Sequence, residues 1–123
     1  MSTILLVDGD PLQALVRKSI LETRFGNVRR VGDAVEALCL LEQPLFVQKL
    51  GMVISSNHVP GMTGPAFVAE LHARIPALPV LVLGDGGDNA KDYLGEQIHF
   101  LSKPFAKEAM LAATSKMLKQ NAH

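Results

Sequence analysis

Three short segments, Thr3–Val7 (TILLV), Met52–Ser55 (MVIS) and Pro79–Leu83 (PVLVL), are apolar at almost every position instead of at every second one. A strand with one face in water alternates, whereas an unbroken apolar run of this length suits a strand buried on both faces. Such strands belong to parallel sheets with helices packed on either side. The sequence between the runs has the spacing that such helices need. Asp10-Pro11 reads as a helix N-cap followed by proline at the first helical position. Leu12, Leu15, Val16 and Ile20 then form one apolar stripe, and the helix is expected to stop near Gly26-Asn27.

Val28–Val31 is a weaker second strand, and Ala34–Gln43 a second helix stopped by Pro44, with a long connection from Pro44 to Gly51. After the Pro60-Gly61 turn, Phe67, Val68, Leu71 and Ile75 mark the inner face of a third helix that Pro76 ends. Gly84–Asp88 is a glycine-rich loop, with Asp88 as cap of a short fourth helix reaching about Leu94. Ile98–Leu101 is the fifth strand and Phe105–Lys119 the fifth helix, with Met110, Ala113 and Met117 on one side. Five strands alternating with five helices imply right-handed crossovers and a doubly wound parallel α/β sheet. In such sheets the functional groups collect where loops leave the carboxyl ends of the strands. Here those loops begin at Asp8, Ser56, Gly84 and Ser102.

At 123 residues the chain is expected to form a single domain, 1–123. Twelve basic residues balance twelve acidic ones, so no overall charge draws it to nucleic acid or an anionic membrane. The local basic residues Arg17, Lys18, Arg24, Arg29 and Arg30 read as a solvated helix face and the turn after it. Cys39 is the only cysteine, which rules out an internal disulfide and cysteine-pair zinc sites. Among leucines it reads as a small core residue. No apolar run is long enough to span a bilayer and no secretory leader is evident, so a cytoplasmic location is expected.

The four loops carry a more specific pattern. ILLVDGDP follows the first strand, VPGMTG the third, PVLVL forms the fourth and FLSKPF closes the fifth. In this combination and order the chain resembles a response-regulator receiver domain of two-component signalling over essentially its whole length. The resemblance implies a flavodoxin-like (βα)5 fold with strand order 2-1-3-4-5. It also implies two adjacent acidic residues that hold Mg²⁺, an aspartate that accepts a phosphoryl group, a Ser or Thr and a Lys that bind that group, and a switch aromatic on strand five.

The correspondence is incomplete. Asp8 keeps the first acidic position, Gly9 replaces the second, and Asp10 is one residue late and is the expected helix cap. Counting four residues back from Pro60 puts Ser56 at the acceptor position, and Gly84 stands at the hydroxyl position. Lys103 is retained, with Lys103-Pro104 as a cis-peptide candidate. Phe100 is the switch aromatic and Asp85 a turn residue next to the pocket. A serine hydroxyl is a weak nucleophile without an activating base, and Mg²⁺ is normally held by one or two carboxylates together with phosphate oxygens.

Asp8, Gly9, Asp10, Ser56, Gly84, Asp85 and Lys103 therefore read as a vestigial phosphoacceptor pocket with no catalytic residue, no cofactor and weak or absent Mg²⁺ binding. In it Asp8 and Lys103 are expected to neutralise each other. Restoring phosphorylation is expected to need Ser56→Asp, Gly9→Asp and Gly84→Thr together. The expected function is that of a pseudo-receiver, a non-enzymatic module acting through phosphorylation-independent protein contacts. Phe100 and Pro104 would lie on the partner face, and a homodimer is one outcome.

Alternatives are a receiver that accepts phosphate on Ser56, a flavodoxin-like cofactor binder, which the single Tyr and absent Trp disfavour, and an input domain cut from a longer regulator with a DNA-binding or enzymatic output. Ser56, His58 and Asp8 lack the G-x-S-x-G elbow of a hydrolase triad. A Ser56–Lys103 dyad is disfavoured because Lys103 would be protonated beside Asp8. His58, His72, His99 and His123 lack metal-ligand spacing and read as surface residues.

Overall fold

The computed structural model describes residues 2–84, 92, 93, 95 and 97–121. The elements run β1 (Thr3–Val7), α1 (Pro11–Glu22), β2 (Val28–Val31), α2 (Ala34–Leu40), α3 (Pro44–Lys49) and β3 (Leu50–Ser56), followed by β4 (His58–Val59) and β5 (Met62–Thr63). The last four are α4 (Gly64–Arg74), β6 (Val80–Gly84), β7 (Ile98–Ser102) and α5 (Lys107–Asn121). The main sheet is parallel, in the order β2-β1-β3-β6-β7. β4 and β5 pair only with each other, so the fourth and fifth strands of the expected 2-1-3-4-5 order are β6 and β7. No helix among the described residues is long and apolar enough to cross a membrane.

Alternate side chains of the buried strands feed two cores, as a pleated sheet covered on both faces requires. Leu5, Val7, Val53, Val80 and Val82 pack with Ala34 and Ala37 of α2 and with Phe67, Val68 and Leu71 of α4. Ile4, Leu6, Met52, Ile54, Leu81 and Leu83 pack with Leu21 of α1 and with Met110, Leu111 and Met117 of α5.

Several expectations are corrected. The second helix stops at Leu40, short of the expected Gln43, and Pro44 opens the next one: it is the first-turn proline of α3, so the supposed long connection is helical. The 57–63 segment is more than a turn, because Pro60 and Gly61, the latter at φ +97°, close the β4–β5 hairpin. α1 ends at Glu22, where the Thr23 hydroxyl donates to the Ile20 carbonyl. Its predicted apolar stripe is mostly outside: Leu12, Leu15 and Val16 are 71%, 63% and 51% exposed, while Ala14, Arg17 and Leu21 face inward. Cys39 is exposed, since α2 turns Ala37 and Leu40 to the core instead. His72 is half-buried with Nε2 2.8 Å from the Leu78 carbonyl oxygen, a tie across the end of α4. Most of the expected fourth helix, its Asp88 cap, Asp85 and His123 lie outside the described residues.

Candidate functional site

Strand register alone brings the predicted residues together. Val7 lies opposite Ser55, Ser56 opposite Leu83, and Gly84 opposite Ser102. Asp8, Ser56, Gly84 and Lys103 thus leave the carboxyl end of the sheet side by side. Asp8, Ser56 and Lys103, together with Gly9, Asp10, Asn57 and Tyr93, line a cleft of about 1100 Å³. Main-chain bonds fix its rim: Asn57 N–H donates to the Leu83 carbonyl at 3.0 Å and Lys103 N–H to the Gly84 carbonyl at 2.7 Å. The Lys103–Pro104 peptide is cis, as the resemblance implied.

Asp10 caps α1, its Oδ1 accepting from the Leu12 and Gln13 amides at 3.0 and 3.1 Å. Asp8 is buried, and its carboxylate is engaged at both oxygens. Oδ1 accepts from the Asp10 amide at 3.0 Å, and Oδ2 accepts from Arg17 Nη1 at 2.9 Å. Asp8 therefore has Arg17 as an ion-pair partner, one that the sequence reading did not supply. The reason is reach: Arg17 lies on the inward face of α1 and is itself only 5% exposed.

A second arginine approaches the same spot. Arg30 of β2 donates through Nη2 to the Asp8 carbonyl at 2.6 Å. Arg17 and Arg30 thus leave the solvated basic face to which the sequence assigned them. A buried carboxylate needs a cation or several donors, and here it has both.

Gly9 is held by close approach. A Cβ built there would lie 2.7 Å from both Cδ and Cγ of Pro60. Pro60 in turn is tied down by its carbonyl, which accepts from the Ala34 amide at 3.1 Å. Gly9→Asp thus requires the hairpin turn to move, which the three-residue repair expected from the sequence did not anticipate.

On the other side of the cleft, Tyr93 is buried and donates from its hydroxyl to Asn57 Oδ1 at 2.5 Å. Its ring lies 5.5 Å from that of Phe100, tilted by 38°. A side chain at Gly64 would collide with the Tyr93 hydroxyl. Phe100 is half-buried against Tyr93 and the α2–α4 core, and Pro104 is exposed. Among the described residues, no group of three or more His, Cys, Asp or Glu side chains is placed to hold a metal ion.

Sequence reasoning missed Arg17, Tyr93, Asn57 and the packing of Pro60 on Gly9. Arg17 left a signal, because it falls three residues after Ala14 and four before Leu21, on one helical face. Tyr93 left none, since its burial depends on Gly64 and Phe100, both distant in sequence.

The sequence matches the family described as the response regulator receiver domain over residues 4–115. It is 27% identical over 118 residues to the C4-dicarboxylate transport transcriptional regulatory protein DctD of Pseudomonas aeruginosa, covering 94% of this chain and 25% of that protein. It is 25% identical over 126 residues to the probable transcriptional regulatory protein TcrX of Mycobacterium tuberculosis, covering 96% of this chain and 50% of that one. The chain thus spans a quarter to a half of the length of these relatives. A response regulator receiver domain protein from Clostridium thermocellum superposes with a TM-score of 0.87 at 21% identity, covering 98% of this chain and 96% of that one. The signal receiver domain of an HD domain-containing protein from Pseudomonas fluorescens Pf-5 does so with 0.85 at 27%, with the same coverage. With its sheet order, the loops at its carboxyl edge and this match over most of its length, the chain belongs to the response regulator receiver domain family.

Proposed function

We propose that this chain is a receiver that acts through protein contacts without accepting a phosphoryl group. The observation that carries the reading is Ser56 at the carboxyl end of β3, the position from which the family's acceptor aspartate projects. A carboxylate is ionised and ready to attack, whereas a serine hydroxyl needs a base and would leave a stable ester. Phosphoryl transfer also depends on positioned charge around the transferred group, and Gly9 and Gly84 contribute no side chain to it. On this reading the pocket holds no cofactor and performs no catalysis.

The partner face we assign is the β7 side of the sheet. β7 is an edge strand, and its Phe100 is held by Tyr93, which is bonded to the residue next to Ser56. Pro104 extends this face in the exposed turn after it. The contacts made there are set by packing and not by a switch at Ser56. The test is mass spectrometry after incubation with acetyl phosphate and Mg²⁺. An unmodified chain is expected, and an adduct on Ser56 overturns the reading.

A second reading concerns context. The relatives named above are transcriptional regulatory proteins of which this chain matches only a part. We infer a role as the regulatory input to an output carried on a longer polypeptide or on a partner. The complete reading frame around this sequence distinguishes the two.

A further inference from the structure

We propose that Arg17 is the pocket's resident cation, standing in charge where the family places Mg²⁺, so that the domain is complete without a metal. The inference rests on the reading that the pocket is not a phosphoacceptor, and it assigns the cation that balances the pocket instead. A divalent ion needs carboxylate oxygens with free lone pairs facing a common point. Here the three carboxylates of the family pocket are reduced to one, because Gly9 and Ser56 replace the others. The remaining Asp8 directs Oδ2 to the Arg17 guanidinium and Oδ1 to the Asp10 amide. A second carboxylate cannot be supplied from position 9 without movement, since a side chain at Gly9 meets the Pro60 ring. The residues present do not fit the metal.

They do fit an arginine. Its charge is permanent and it donates in a planar fork. It approaches from α1, an element already anchored at the pocket by the Asp10 cap. Arg30 on the Asp8 carbonyl adds a second cationic side chain at the same residue. The arrangement also explains why α1 turns a charge inward and Leu12, Leu15 and Val16 outward. The helix takes its rotation from the ion pair.

Arg17 is thus a positioning residue, and the test separates its charge role from packing. Thermal and urea unfolding are followed with and without millimolar MgCl₂ at matched ionic strength. The intact chain is expected to show the same midpoint in both. Arg17→Met should raise the unfolding equilibrium constant by roughly a hundredfold or more, the usual consequence of orphaning a buried charge. Adding Asp8→Asn to Arg17→Met should recover about tenfold or more of that loss by removing the orphaned charge. Neither Arg17→Met nor Arg17→Lys should gain a saturable stabilisation by Mg²⁺, because Asp8 is still the one carboxylate left of the family's three.

A saturable Mg²⁺-dependent rise of the intact chain's midpoint overturns the proposal. So does an equal cost of Arg17→Met with and without Asp8→Asn. If Arg17→Met alone does not fold, the double variant decides: folding supports the ion pair, and failure to fold shows that Arg17 acts through packing and overturns it. Labelling of Ser56 by acetyl phosphate would defeat the functional reading while leaving the ion pair in place. Mg²⁺ stabilisation of the intact chain without labelling would do the reverse.

Discussion

Helices α1 and α4 are built from similar parts. Each follows a side-chain cap, Asp10 in one case and Thr63 in the other, and each carries proline in its first turn. They are 12 and 11 residues long and lie on opposite faces of the same sheet. α4 buries Phe67, Val68 and Leu71, as its apolar spacing dictates. α1 buries Arg17 and leaves Leu12, Leu15 and Val16 in water.

The difference lies in what each helix meets. The strands beneath α4 present mainly apolar side chains to it, so burying the largest apolar face gives the lowest free energy, at about 1.5–3 kcal/mol for each large side chain fully buried. The strand beside α1 ends in a buried carboxylate, and leaving such a group unpaired costs several kcal/mol. The phase that satisfies Asp8 still keeps Leu21 in the core and Ile20 against it. Only the first two turns of α1 give up apolar burial.

This contrast can be broken by substitution. The largest effect is expected on α4: Leu71→Ala should cost about 2–5 kcal/mol in urea unfolding, the range for a fully buried leucine. A cost below about 1 kcal/mol, less than half the bottom of that range, would mean that α4 is not held by its apolar face. Next is Gly9→Ala at the entry to α1. The added methyl meets the Pro60 ring, and overpacking of this kind costs about 1–3 kcal/mol. A neutral result would show that the 57–63 hairpin yields easily, and would make the closure over Asp8 soft. The smallest effect is expected for Leu15→Gln, whose side chain is largely exposed, within about 0.5 kcal/mol of the parent chain. A loss comparable with that of Leu71→Ala would mean that α1 buries its leucine stripe in solution and that the inward arginine is wrong.

The leucine stripe of α1 also shows where pattern reading stops. Apolar periodicity placed α4 correctly because hydrophobic burial was the dominant local term. The same reasoning misplaced α1 because a single buried charge outweighed it, and that charge belongs to another element. Cys39 was misassigned for a related reason: its leucine neighbours told of an apolar helix but not of its rotation. The P-G turn was legible as a turn, while its role in closing over Gly9 needed the distance to Pro60.

The sequence by itself determined the parallel α/β architecture and which loops meet at the carboxyl edge, because continuous apolar runs and short connections leave few other ways to bury the strands; the strand order came from its resemblance to receiver domains. It also determined that a hydroxyl, and not a carboxylate, stands at Ser56. Only the tertiary structure decided which cation answers Asp8, why no side chain fits at Gly9, and how Tyr93 joins Asn57 to Phe100. These are contacts between residues remote in sequence, and their energies depend on burial and distance, neither of which has a local signature in the chain.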